Sequence, residues 1–133
     1  MYTFSKRSRE QLNTCHPKLV QVLEAAIKKI DFSVIEGHRG EAEQNRAFAE
    51  GRSRLRWPNS KHNKMPSEAV DIWPYPFKPE YWNQIEVWEN LAKVVLECAE
   101  ELGIKIRWGG DWNQNGDWRD EKFIDGPHFE LME

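Results

Sequence analysis

The sequence has no apolar run approaching the roughly 18 residues of a membrane-spanning helix, and its start, MYTFSKRSREQLN, lacks the apolar segment of a secretion signal. Membrane insertion is therefore not expected, and the product should stay in the cytoplasm until something releases it. Cysteine is scarce. Cys15 and Cys98 are the only two, too distant from each other for a zinc ribbon or a disulfide framework, and both read as buried thiols on helices. Charge of one sign is lacking too: 19 Lys and Arg against 22 Asp and Glu leave a formal net charge of −3. No global basic field exists to draw nucleic acid or an anionic membrane. No repeat or low-complexity segment interrupts the chain.

What is present suits one folded domain: 133 residues, 39% apolar and 31% charged. Between Pro17 and Ile30, Leu19, Val22, Leu23, Ala26, Ile27 and Ile30 recur at helical spacing, with Pro17 suited to the first turn. Phe32 to Glu36 reads as a short strand stopped by Gly37, and Glu41 to Glu50 as a helix closed by Gly51. The stretch RSRLRWPNSKHNKMPS has neither period and reads as a loop. EAVDIW (residues 68–73) resumes a strand that Pro74 and Pro76 should end. A second helical stripe runs from Asn83 to Leu102, with Gly103 placed to stop it. A strand IKIRW, a polar loop and a last strand around His128 to Leu131 complete the chain. Helices and strands do not alternate regularly, so the expected class is α+β, a small, mainly antiparallel sheet packed by helices.

Histidines stand at 16, 38, 62 and 128, and two of them sit in compact polar contexts, SKHNKMPSEAVDIW and FIDGPHFEL. Catalytic zinc commonly takes three protein ligands from His and carboxylate and leaves a position open, a pattern that His62, Asp71 and His128 would satisfy. On spacing alone, scattered His and Asp are more often surface or hydrogen-bonded groups. Side chains three apart on an unbroken strand face opposite ways, so Asp125 and His128 can share a site only if Gly126-Pro127 bends the backbone.

The order Ser60-x-His62, Pro66-Ser67-x-Ala69-x-Asp71, Asp125-x-x-His128, with Arg39 and Gln44 after the first strand, resembles the M15 metallopeptidases. That group comprises the D-alanyl-D-alanine carboxypeptidases and the phage L-alanyl-D-glutamate endopeptidases, and the chain is most similar to the phage endolysins. The resemblance implies zinc held by His62, Asp71 and His128, Asp125 as general base, and Arg39 as the cation facing the developing oxyanion. It also implies roles near substrate for Ser60 and Gln44. The substrate would be the stem peptide of bacterial peptidoglycan, cut between L-alanine and D-glutamate. The alternatives are a D-alanyl-D-alanine carboxypeptidase or dipeptidase, and a non-catalytic metal-binding module that recognises wall. A monomer held in the host cytoplasm and released with the help of a holin is implied as well. In the family's commoner form, S-x-H-x-x-G-x-A-x-D, a Gly stands three positions after the first His; here Pro66-Ser67 occupies that turn and Asp71 stands nine positions after His62. The extra residues are expected to bulge outward at small entropic cost.

Three further features stay open at this level. Asp111, Asn113, Asn115 and Asp117 alternate, with Gly116 at the sixth position, as in the front half of a calcium loop, but Lys122 stands where the closing Glu belongs. Asp120 or Glu121 would have to close a shortened calcium site; the other reading is a polar turn built on Asx hydrogen bonds. The basic run Arg52, Arg54, Arg56, Lys61 and Lys64 is either a substrate-binding or wall-attracting group or a solvated face. Of seven tryptophans, Trp88 reads as core, while Trp57, Trp73, Trp82, Trp108, Trp112 and Trp118 lie near loops where rings can stack on glycan.

Overall fold

A computed structural model describes residues 2–121 and 124–132. Lys122, which occupies the position of the missing closing Glu in the calcium pattern, lies outside the described residues. Four helices, α1 (Lys6–Leu12), α2 (Pro17–Ala26), α3 (Glu41–Ala49) and α4 (Ile85–Leu102), surround four strands, β1 (Phe32–Glu36), β2 (Ala69–Pro74), β3 (Ile106–Trp108) and β4 (His128–Leu131). The strands form one antiparallel sheet in the order β1-β2-β4-β3. The α+β expectation therefore holds. No helix among the described residues is long and apolar enough to cross a membrane.

The long stripe of α4 buries Trp88, Leu91, Ala92, Val95, Cys98 and Ala99 against α2 and the sheet, and Gly103 ends it in the left-handed conformation at φ 72°. A buried large apolar side chain contributes about 1.5–3 kcal/mol, so Trp88, Leu91 and Val95 give this stripe a substantial share in holding the core. α2 closes at Ala26, earlier than the periodicity suggested, because Ile27 to Ile30 turn away; Ile27 and Ile30 still pack on the core. Pro74 is the last paired residue of β2, opposite Phe32, rather than the residue beyond its end.

α1 was not legible as a helix. It is seven residues long, and Ser8 and Leu12 are its only buried residues. Its work is done by polar side chains: Ser8 Oγ accepts from Val34 N at 2.9 Å, Gln11 Oε1 from Gly37 N at 3.2 Å, and Thr14 Oγ1, just beyond the helix, from His38 N at 2.9 Å. These bonds satisfy donors of the edge strand and of the turn that follows it. Contrary to the expectation from sequence, Cys15 is not on a helix: it lies between α1 and α2 in an isolated bridge to Ser67. Both thiols are buried, and burial pushes that of Cys15 up to about 12, which keeps it unreactive.

Candidate active site

The register of β2 and β4 sets the centre. Asp71 pairs directly with His128, so their side chains rise from one sheet face, and His62 reaches them from a 3₁₀ turn, Lys61–Asn63, in the preceding loop. Ser60 caps that turn: its Oγ accepts from His62 N at 3.2 Å, while Asn63 Oδ1 returns the contact to Ser60 N at 3.1 Å. Lys64, Met65 and Pro66 are exposed and bulge outward, whereas Ser67 is buried with its hydroxyl on Gly37 O and Ala69 O. The variant turn is thus tied down on both sides of its bulge.

One ligand atom from each of His62, Asp71 and His128 lies within 4.8 Å of the others, the only such group among the described residues. His62 Nε2 is 3.3 Å and His128 Nδ1 3.4 Å from Asp71 Oδ1. The remaining ring nitrogens are occupied: His62 Nδ1 donates to Gly37 O at 2.7 Å, and His128 Nε2 donates to Glu130 Oε1 at 2.8 Å. Each ring is therefore held in the tautomer whose free lone pair faces Asp71, the arrangement that metal-binding imidazoles require. Two neutral nitrogens and a carboxylate oxygen so placed fit a zinc-like cation.

Electrostatics agree with that fit. Burial pushes the Asp71 carboxyl upward, but attraction to His62 and hydrogen bonds with His128 and His62 outweigh it and hold Asp71 well below the usual carboxylate range. Burial also works against charge on His128, yet bonds to Asp71 and Glu130 raise it to about 9. Without a cation a proton occupies this position, and a metal must displace it. Glu130, missed in the sequence reading, is held down at about 2 because its bonds to His128 and Arg107 overcome the effect of burial. Its signal was present: it lies two residues beyond His128 and so on the same face of β4.

Asp125 lies just before the Gly126-Pro127 turn that leads into β4. Asp125 N donates to Gly109 O at 2.8 Å, Gly109 N to His128 O at 2.7 Å, and Trp108 Nε1 to Gly126 O at 2.7 Å. The bend is thereby pinned to β3. Burial, then the negative charge of Asp71, raise the Asp125 carboxyl to about 6 against the pull of His128, His62 and Arg39. A carboxyl poised near neutrality beside a cation site suits proton transfer.

Arg39 is buried, not a surface ion pair. Nε and Nη2 donate to Glu36 Oε1 at 3.0 and 2.7 Å, Nη1 to Gln44 Oε1 at 3.0 Å, and Nη2 reaches Asp71 Oδ2 at 3.5 Å. Four of the five N–H groups of a guanidinium are thus committed, leaving at most one for a substrate oxygen. Gln44 is fully buried, and its amide also donates to Ser53 Oγ and Leu55 O. It supports Arg39 and the loop at 53–55 and is not among the residues that border the cleft. Ser60, although it borders the cleft, is engaged in capping.

The triad opens into a cleft of about 1040 Å³ that also receives Arg39, Asp125, Trp73, Trp82 and Trp112. From the basic run, Arg52, Arg54 and Lys61 border it, Arg52 also pairing with Glu50, while Arg56 lies over the Phe48 ring at 4.6 Å. Trp88 is core as expected; Trp108, at 5% exposed, joins it there rather than offering a loop surface. In the loop from Asp111, Asp111 Oδ2 accepts from Gly116 N at 2.8 Å and Asn115 Oδ1 from Asp117 N at 2.9 Å, so Asx hydrogen bonds shape it. Asp120 closes the loop by accepting from the side-chain amides of Asn113 and Asn115.

Comparison with known proteins identifies the family. The profile of the family of phage L-alanyl-D-glutamate peptidases matches residues 1–132. The L-alanyl-D-glutamate peptidase of Escherichia phage T5 is 36% identical over 136 residues, covering 98% of each chain. The crystal structure of the Serratia marcescens L-Ala D-Glu endopeptidase ChiX superposes with a TM-score of 0.73 at 32% identity, covering 97% of this chain and 90% of that one. A match along the whole length, a shared fold and a cation-ready centre lead to one conclusion: the chain belongs to the phage L-alanyl-D-glutamate peptidase family.

Proposed function

We propose that this protein is a zinc peptidase that hydrolyses the bond between L-alanine and D-glutamate in the stem peptides of bacterial peptidoglycan, in the manner of a phage endolysin. The observation that carries the reading is the convergence of His62, Asp71 and His128, each imidazole held by its outer nitrogen. When bound there, zinc supplies Lewis acidity, which makes water a nucleophile near neutral pH and polarises a peptide carbonyl. Asp125 takes the proton of the attacking water on its carboxylate and returns it to the departing glutamate nitrogen. Arg39 steadies Asp71 and has one N–H left to offer the carbonyl oxygen.

Digestion of purified wall is expected to produce new alanine carboxyl and glutamate amino termini, detected by mass spectrometry of the fragments. A chelator should stop their appearance and added zinc restore it. Release of terminal D-alanine alone would assign the centre to the carboxypeptidase alternative, and the absence of any new terminus would favour a binding module. A monomeric state, residence in the host cytoplasm and dependence on a holin belong to the same proposal and rest on the family resemblance.

Calcium at the 111–121 loop is proposed as a second ion. Its support is that Asp120 already reaches the side chains of Asn113 and Asn115, so rotation of those two amides would turn oxygens toward a common centre. Titrating calcium into zinc-loaded protein should release or absorb heat and raise the melting temperature. A titration without heat and without a shift in melting would leave the loop as an Asx turn only.

A further inference from the structure

We infer that the aromatic shelf formed by Trp73 and Trp82 is a subsite for the N-acetylmuramyl sugar that carries the stem peptide, and that it fixes the direction in which substrate lies. This rests on the peptidase reading proposed above.

Strand register arranges the cleft as a line. Trp73 follows Asp71 by two positions on β2, and its ring borders the cleft beyond the centre on one side. In the other direction Glu130 pairs with Ala69, two positions before Asp71, and with Arg107 across β3. At about 3.4 Å per residue, the aromatic and the basic ends each lie roughly 7 Å from the cation centre, measured along the strands. Asp125 sits toward the aromatic end, since Pro127 O accepts from Ile72 N at 3.0 Å.

The two ends differ in chemistry. Trp82 is 51% exposed, stacks on Trp88 at a centroid distance of 5.0 Å and 21°, and meets Trp73 edge to face at 5.5 Å and 88°. Trp88 is buried and holds its ring in place through Nε1 to Tyr81 O at 2.7 Å. Trp82 borders both the main cleft and a smaller cavity of about 320 Å³ next to Asp125 and Pro127, so the groove continues over the ring. At the opposite end Arg107 and Lys61 share the single carboxylate of Glu130, at 2.6 and 3.8 Å, which leaves one positive charge uncompensated within that trio.

The substrate is asymmetric in the same sense. On the amino side of the scissile bond there is only L-alanine, whose nitrogen is joined through a lactyl group to N-acetylmuramic acid. On the other side D-glutamate carries an α-carboxyl that is not part of the chain. The sugar therefore lies within one residue of the cut bond and must be accommodated by any enzyme acting on intact wall. A neutral pyranose with an apolar C–H face suits a rigid, half-exposed indole, and a carboxylate suits the Arg107 and Lys61 end.

Two soluble substrates test this: the bare stem peptide and the same peptide bearing N-acetylmuramic acid. The wild-type enzyme should show a KM for the muramyl substrate lower by roughly tenfold, the scale of one aromatic contact. Trp82→Ala should erase the difference between the two substrates, and Trp82→Phe should retain most of it. Equal KM values with the wild type, or an equal rise for both substrates in Trp82→Ala, would overturn the subsite. If neither substrate is cut between alanine and glutamate, the peptidase reading fails. The subsite is then decided by binding of N-acetylmuramyl-L-alanine to wild type and to Trp82→Ala in saturation-transfer NMR, where equal signals reject it.

Discussion

Asp125→Asn is expected, on the zinc peptidase reading proposed above, to lower wall hydrolysis by a factor of about 10²–10⁴, the range spanned by a positioned general base, while zinc content stays that of the wild type. The amide keeps the size of the side chain and leaves His62, Asp71 and His128 untouched, so metal analysis and activity should separate. Loss of zinc along with activity would mean that Asp125 serves the cation site rather than proton transfer. Stability should move the other way. In the metal-free protein the Asp125 carboxyl is raised from about 3.8 to about 6, so the folded state holds a proton that the unfolded chain releases. Stability is then lost as pH rises between those values, and a constant penalty on the order of 1–3 kcal/mol remains above them. Asn carries no such penalty. Metal-free Asp125→Asn should therefore melt several degrees above metal-free wild type at pH 7, and the gap should close below about pH 4.

Gly109→Ala is expected to lower both activity and stability, without altering any side chain assigned to the chemistry. A Cβ there would stand 2.2 Å from Asp125 O and 3.0 Å from Asp125 Cβ. Relief requires the backbone of Asp125 to move, not the tip of a flexible side chain, and that motion breaks the bonds of Gly109 to Asp125 N and His128 O. A misplacement of about 1 Å at a catalytic group is enough to cost on the order of 10²-fold in rate. Overpacking of this kind also destabilises by about 1–3 kcal/mol. Thermal melting and kinetics on the same preparation test both effects. Wild-type activity in a well-folded Gly109→Ala would show that Asp125 tolerates displacement and would weaken its assignment as base.

How much of this was legible depended on the kind of signal. α2 and α4 announce themselves because a buried face repeats through several turns, β1 and β2 because β-branched residues run into Gly or Pro, and β4 because Gly126-Pro127 sets off the residues after it. The bend at Gly126-Pro127 was readable for the same reason, as a local backbone property. α1 was not, since a seven-residue helix buries only two side chains and contributes hydrogen bonds whose partners lie 24 to 26 residues away. His62, Asp71 and His128 came through motif order as a candidate set, but the groups that hold them in place did not. Gly37 orients His62 through a carbonyl that every residue possesses, and only the crowding around its Cα, where a Cβ would meet Thr14 Oγ1 at 2.2 Å, explains why glycine stands there. Arg39 was singled out as a cation of the centre, yet Glu36, which takes two of its four committed N–H groups, was read only as the end of a strand.

The polar row on α1 has a consequence for how the chain is made. An uncovered β1 would offer Val34 N to any passing strand, and exposed sheet edges seed association between half-folded molecules. Ser8, Gln11 and Thr14 precede the donors they quench, so on a ribosome the cover leaves the exit tunnel before the edge it must cover. Deleting the first fourteen residues should therefore show itself as insoluble product during synthesis rather than as a weaker enzyme.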